Sequence, residues 1–123
     1  MVKKILLWVP PVLWASFIFY LSSIPNLELT ADPLWNLVTR KLAHMFVFGV
    51  LAILIYLALG FKTITHAFLL TALYATADEF HQTFVPTRQG EFSDIIIDSF
   101  GAFLSLLIWK KVLPPNLVKK LKK

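Results

Sequence analysis

Apolar residues run almost unbroken over 5–24, 42–61, 63–84 and 92–113. A bilayer core takes roughly 20 apolar residues in a helix. The first run meets this with no charge, and the second with one histidine. The third has His66 near its start and Asp78, Glu79 and His81 near its end. The fourth has two aspartates near its start and two lysines near its end. The pattern predicts an all-α membrane protein with four transmembrane helices, over about 5–24, 34–61, 63–84 and 92–113. The length, 123 residues, fits a single domain over the whole chain.

The ends of the runs refine this. Pro10 and Pro11 are expected to kink or loosen the first helix. Its apolar run is longer than a signal-peptide core, and Ser22-Ser23-Ile24-Pro25 is a poor cleavage site, so it reads as an uncleaved span. Asp32-Pro33 offers a capping carboxylate followed by a first-turn proline. The second helix is therefore expected to start near Leu34, ahead of its apolar run. Ser93 is a candidate cap for the fourth helix, with Asp94 in the favourable first turn.

Charge sets the expected orientation. With the N-terminus inside, nine of the twelve basic residues are cytoplasmic and only Arg40, Lys41 and Arg88 lie outside. That bias predicts N-in/C-in in the cytoplasmic (inner) membrane. The lysine-rich stretch 114–123 then reads as a cytoplasmic tail that meets anionic lipid. The basic residues elsewhere are too scattered for nucleic acid. With no cysteine in the chain, disulfides and thiolate metal sites are excluded.

The same orientation collects the carboxylates. Asp78, Glu79, Glu91, Asp94 and Asp98 are five of the seven acidic residues, and all seven fall at or near the outer face. Ionisable groups inside a bilayer are costly unless paired or facing water. Asp78, Glu79, His81, Asp94, Asp98 and His44 are therefore expected to face one another, with Arg40, Lys41 and Arg88 as counter-charges. The result is an outward-facing polar pocket. Asp78 and His81 share a helix stripe with Gln82 beside it, and Glu79 is offset by about 100°. A regular helix cannot aim Glu79 and His81 at one point. Gly101 lies on the stripe of Asp94 and Asp98, where it would admit another helix.

These residues resemble the VanZ-like family. The likeness rests on RKLAHMFVFGVLA at 40–52 and YATADEFHQTFVPTRQGEFSDIIIDSFGA at 74–102. The family pattern has K-x-x-H on the second helix, D-E-x-H-Q on the third, P-x-R after it and D-x-x-x-D-x-x-G on the fourth. Lys41, His44, Asp78, Glu79, His81, Gln82, Pro86, Arg88, Asp94, Asp98 and Gly101 match it. Thr87 stands where members often have glycine. The resemblance implies a small four-helix membrane protein. It also suggests a link to the teicoplanin (lipoglycopeptide) resistance for which the family is named, in Gram-positive bacteria.

Several readings stay open at this point. An enzyme acting on an envelope lipid or lipid-linked cell-wall precursor would use Glu79 as acid or base, with His81 or His44 as partner and Asp78 nearby. Lys41 and Arg88 would hold a phosphate, with Gln82, Asp94 and Asp98 in the binding wall. A non-catalytic binder would hold an anionic headgroup or the glycopeptide itself. A structural network would only fix helix register. Ion movement fits least, because no titratable relay crosses the inner half. No cofactor is expected. A divalent cation on Asp94 and Asp98, or zinc on two histidines and carboxylates, is an alternative without a known spacing signature.

Overall fold

The computed structural model describes residues 2–25, 27–113 and 115–121, with backbone alone at Pro115, Val118 and Leu121. Every regular element among them is a helix: α1 (Val2–Leu6), α2 (Val9–Ser22), α3 (Pro33–Ala58), α4 (Ile64–Gln82), α5 (Phe92–Val112) and α6 (Pro115–Leu121). The stretch Val2–Ser22, α3 and α5 are each long and apolar enough to cross a membrane. α4, the shorter element of 19 residues, carries Asp78 and Glu79 within its last turns.

Each boundary has a local cause. The expected first helix is interrupted at Leu7–Trp8, just ahead of Pro10 and Pro11, which carry no N–H for the preceding turn. Asp32 caps α3 by accepting from the Trp35 N–H at 3.0 Å, with Pro33 at the first turn. α3 ends at Ala58, short of Phe61, in a left-handed turn. Gly60 has φ +67° and Phe61 φ +59°. The Phe61 N–H reaches the Tyr56 carbonyl and the Gly60 N–H reaches that of Leu57. The Phe61 ring meets Tyr56 edge-on at 5.4 Å. This is a Schellman closure with its apolar contact. Ser93 does not cap α5. The cap position is Glu91, and the Ser93 hydroxyl donates to the Glu91 carboxylate at 3.2 Å instead. Residues Pro115–Leu121 of the basic tail form α6, while Pro114, Lys122 and Lys123 lie outside the described residues.

α3 packs most extensively on α5, and α4 closes against both. α2 lies against α3 and α4. The Trp14 indole N–H donates to the Val47 carbonyl at 2.8 Å, and the Tyr74 hydroxyl donates to the Ala15 carbonyl. The α3–α5 seam is close because small residues line it. A Cβ on Gly101 would sit 2.5 Å from the Met45 carbonyl oxygen and 2.7 Å from its Cα, and one on Gly49 would collide with the Ser105 hydroxyl.

An apolar core is joined by buried polar groups, and the exterior is broadly apolar. Ser22, Thr71, Asp78, Glu79, Gln82, Asp94 and Asp98 are buried, while Phe17, Phe46, Leu73, Phe80, Phe100 and Ile108 are exposed. So broad an apolar exterior suits lipid rather than water. All of the buried polar groups but Thr71, whose hydroxyl donates to the Ala67 carbonyl within α4, gather at one end. There the C-terminal ends of α2 and α4 meet the N-terminal halves of α3 and α5.

Two glycine substitutions separate backbone strain from helix approach. Gly60→Ala meets no neighbour, so its cost is the left-handed φ alone, about 1 kcal/mol. Gly101→Ala must push α5 off the α3 backbone and is expected to cost more, in the range of about 1–3 kcal/mol for overpacking. Thermal melts in detergent should rank wild type above Gly60→Ala above Gly101→Ala. A Gly101→Ala midpoint equal to wild type would sink the close-seam account.

Candidate functional site

The polar end is assembled from four helices and two loops. On α3, Arg40, Lys41 and His44 lie within one turn of each other. The Lys41 ammonium pairs with the Asp94 carboxylate and reaches Glu91 at 3.4 Å. His44 Nδ1 lies 3.1 Å from Asp98 Oδ1, and Asp98 is fully buried. The α3–α5 seam is thus laced by two polar pairs, one helical turn apart on each side.

On α4, neighbouring residues serve different partners. Asp78 accepts from the Ser22 hydroxyl of α2 at 2.8 Å and from the Gln82 amide at 3.2 Å. Glu79 turns the other way, toward α3 and α5, and accepts from the Glu91 N–H at 3.0 Å. Gly90 seats this loop on α4, since a Cβ there would lie 2.6 Å from the Glu79 carbonyl oxygen. His81 faces α2, with its Nε2 3.0 Å from the Ser23 hydroxyl and its ring stacked on Phe19 at 4.2 Å. The structure therefore brings His44, and not His81, to Glu79.

Arg88 reaches back over α2. Its Nε donates to the Ile24 carbonyl at 2.9 Å and its Nη2 to the Leu21 carbonyl at 3.2 Å. A cation suits the negative end of a helix, where carbonyls lack partners. Burial, with the Arg40 guanidinium nearby, pushes the Arg88 guanidinium below its ordinary value. Arginine remains charged at physiological pH even so.

Three adjoining cavities open around these groups. One of about 70 Å³ has mainly apolar walls, including Ile18, Leu21, Leu29, Val47 and Phe48, with Asp78 at its side. A second, about 200 Å³, is mainly polar, with Lys41, Gln89, Glu91 and Asp94 in its wall. A third, about 100 Å³, lies between Glu28, Asn36 and Thr87. Arg40 and Arg88 line all three, and His44 lines the first two. Glu79 and Asp98 line none of them and stand behind His44.

Arg40 thus outranks Lys41 as the cation facing these cavities. No side-chain hydrogen bond or ion pair to another described residue engages it, whereas Lys41 is neutralised by Asp94 and Glu91. The i, i+4 relation of Arg40 to His44 was the available signal for it. Ser22 and Ser23 gave none, because their roles exist only once α2 lies against α4.

Three buried carboxylate oxygens at this end have no hydrogen-bond partner among the described residues: Asp78 Oδ1, Glu79 Oε1 and Asp98 Oδ2. Buried polar atoms are rarely left without a partner, so these three oxygens call for a proton, a water or a cation beside them.

The Lys41–Asp94 pair is expected to couple energetically. In a double-mutant cycle with Lys41→Met and Asp94→Asn, detergent unfolding should return an interaction of about 0.5–3 kcal/mol. Strict additivity would mean the pair is a solvated surface contact without a role in the seam.

No curated protein and no solved structure matches this sequence. The sequence profile described as VanZ/LLP1 matches residues 4–114, nearly the whole chain, including every residue of the polar end. The chain belongs to the VanZ/LLP1 family.

Proposed function

We propose that this protein crosses the cytoplasmic membrane four times, N-in/C-in, and takes an anionic amphiphile into its polar end from the extracytoplasmic leaflet. The amphiphile is a membrane lipid or lipid-linked cell-wall precursor carrying a phosphate. One observation carries the reading: an apolar and a polar cavity share Arg40, His44 and Arg88 at their junction. Such a site suits a molecule with an oily neck and an anionic head. Arg40 presents the planar donor fork that matches phosphate oxygens, and Arg88 keeps donors beyond the two it spends on α2.

The fourth span is α4. It is read as a span because it joins α3 to α5 and exposes Leu69, Leu73 and Phe80 on its outer surface. The surplus of lysines at the opposite end supports the orientation. A site opening at the outer leaflet supports a role in envelope lipid or cell-wall chemistry, and the resemblance to the VanZ-like family supports an effect on lipoglycopeptide susceptibility. His44 is the titratable group that lines both cavities, and Glu79 stands behind it.

Orientation is directly testable because the chain has no cysteine. Gln89→Cys should react with a membrane-impermeant thiol reagent in intact cells, and Lys62→Cys only after permeabilisation. The reverse labelling would overturn the orientation.

Native mass spectrometry on detergent-purified protein tests the ligand. Wild type should retain anionic lipid, and Arg40→Glu should lose it by at least tenfold while melting normally. Equal retention by both would sink the amphiphile reading. A change in mass of added polyprenyl phosphate with wild type, absent with Glu79→Gln, would establish turnover; retention without change would establish a binder. If the susceptibility role holds, wild type protects a sensitive host against a lipoglycopeptide and Arg40→Glu does not.

A further inference from the structure

The three-helix seam behind His44 has features that neither the headgroup cavities nor helix register accounts for. The ligating atoms of His44, Glu79 and Asp98 all lie within 4.8 Å of one another. Each residue comes from a different helix: α3, α4 and α5. Glu79 is 3% exposed and Asp98 is 0% exposed. Each nonetheless keeps one carboxylate oxygen without a hydrogen-bond partner among the described residues. Two buried carboxylates this close repel each other unless a proton or a cation is shared between them, and among the described residues the His44 imidazole meets only Asp98 through a hydrogen bond. The lysine at this end is already engaged, with Asp94 and Glu91. Arg88 is turned to the α2 carbonyls, and Arg40 faces the cavities.

We propose that His44, Glu79 and Asp98 hold one divalent transition-metal ion of the zinc or manganese class. The ion clamps α3, α4 and α5 together behind the headgroup pocket. The chemistry of the donor set decides the class. One imidazole nitrogen with two carboxylates suits zinc or manganese, whereas magnesium and calcium favour oxygen alone. The 3.1 Å between His44 Nδ1 and Asp98 Oδ1 fits a hydrogen bond. It also fits two ligands of one ion, whose spacing is about 3.3 Å in a tetrahedron with bonds of about 2.0 Å. For Glu79 the second oxygen is already held. Glu79 Oε2 accepts from the Glu91 N–H, which leaves Oε1 for the ion and fixes its direction. The ion deepens the amphiphile reading by neutralising the two carboxylates behind the pocket, which would otherwise repel an anionic head, yet metal binding itself does not depend on that reading.

The test uses full-length protein in detergent, stripped with a chelator and then given Zn²⁺, Mn²⁺ or Mg²⁺ singly. One Zn²⁺ or Mn²⁺ per chain should survive dialysis, and its addition should raise the melting midpoint. Mg²⁺ should do neither. Asp98→Asn and Glu79→Gln should each weaken Zn²⁺ or Mn²⁺ binding by tenfold or more. His66→Gln, at the exposed start of α4, should leave it unchanged. Two results overturn the proposal. One is the absence of saturable one-to-one binding by wild type, which would mean that a shared proton occupies the seam instead. The other is undiminished binding by both carboxylate variants. Should those variants fail to fold, the wild-type stoichiometry and midpoint shift decide the matter, with no shift overturning it. Lipid retention is measured separately on the stripped protein. Loss of metal binding with lipid retained removes this inference alone, and the converse removes only the amphiphile reading.

Discussion

The polar end depends on how closely α3 lies against α5. Gly101 has no Cβ, so the Met45 backbone rests where that atom would be. Asp98 lies one turn before Gly101, and His44 immediately precedes Met45. The glycine that admits the α3 backbone therefore also sets the separation of His44 from Asp98. Lys41 and Asp94 repeat the pairing one turn further out. Were the helices held apart by ordinary side chains, these groups would be stranded in an apolar interior, where an unpaired charge is costly.

A second constraint follows from the distribution of polarity. With an apolar exterior and a buried polar cluster at one end, the chain cannot leave loop amides and helix-end carbonyls to chance. Arg88 supplies donors to the end of α2, and Glu79 supplies an acceptor to the loop before α5. The 84–91 connection is thereby tied to α2 and α4 by side chains that also border the cavities or the buried seam. Position and chemistry are carried by the same residues, so a substitution here changes both. Melting must be read alongside any functional assay for that reason.

Much of this was legible in the residues themselves. Long apolar runs allow only helices when the surroundings offer backbone groups no water, so the element types and their approximate bounds follow from composition. Asp32-Pro33 announced the start of α3 because a cap and a first-turn proline act within four residues. The gathering of carboxylates with His44 at one end followed from chain direction and charge cost alone. Family membership was likewise carried by contiguous residues, at 40–52 and 74–102.

Partnership was decided only by the tertiary structure. Asp78 and Glu79 are adjacent in sequence, yet their helix offset sends one to Ser22 of α2 and the other toward α3 and α5. His81 matches the sequence pattern as well as His44 does, but it faces Phe19 and Ser23. Lys41 reads as an available cation until Asp94 and Glu91 are brought beside it, and Arg40 then becomes the one facing the cavities. Local sequence determined which groups exist and at what depth along each helix. Which of them meet depended on helix rotation and on the sub-ångström tolerance of the α3–α5 contact, and those are properties of packing between segments far apart in the chain.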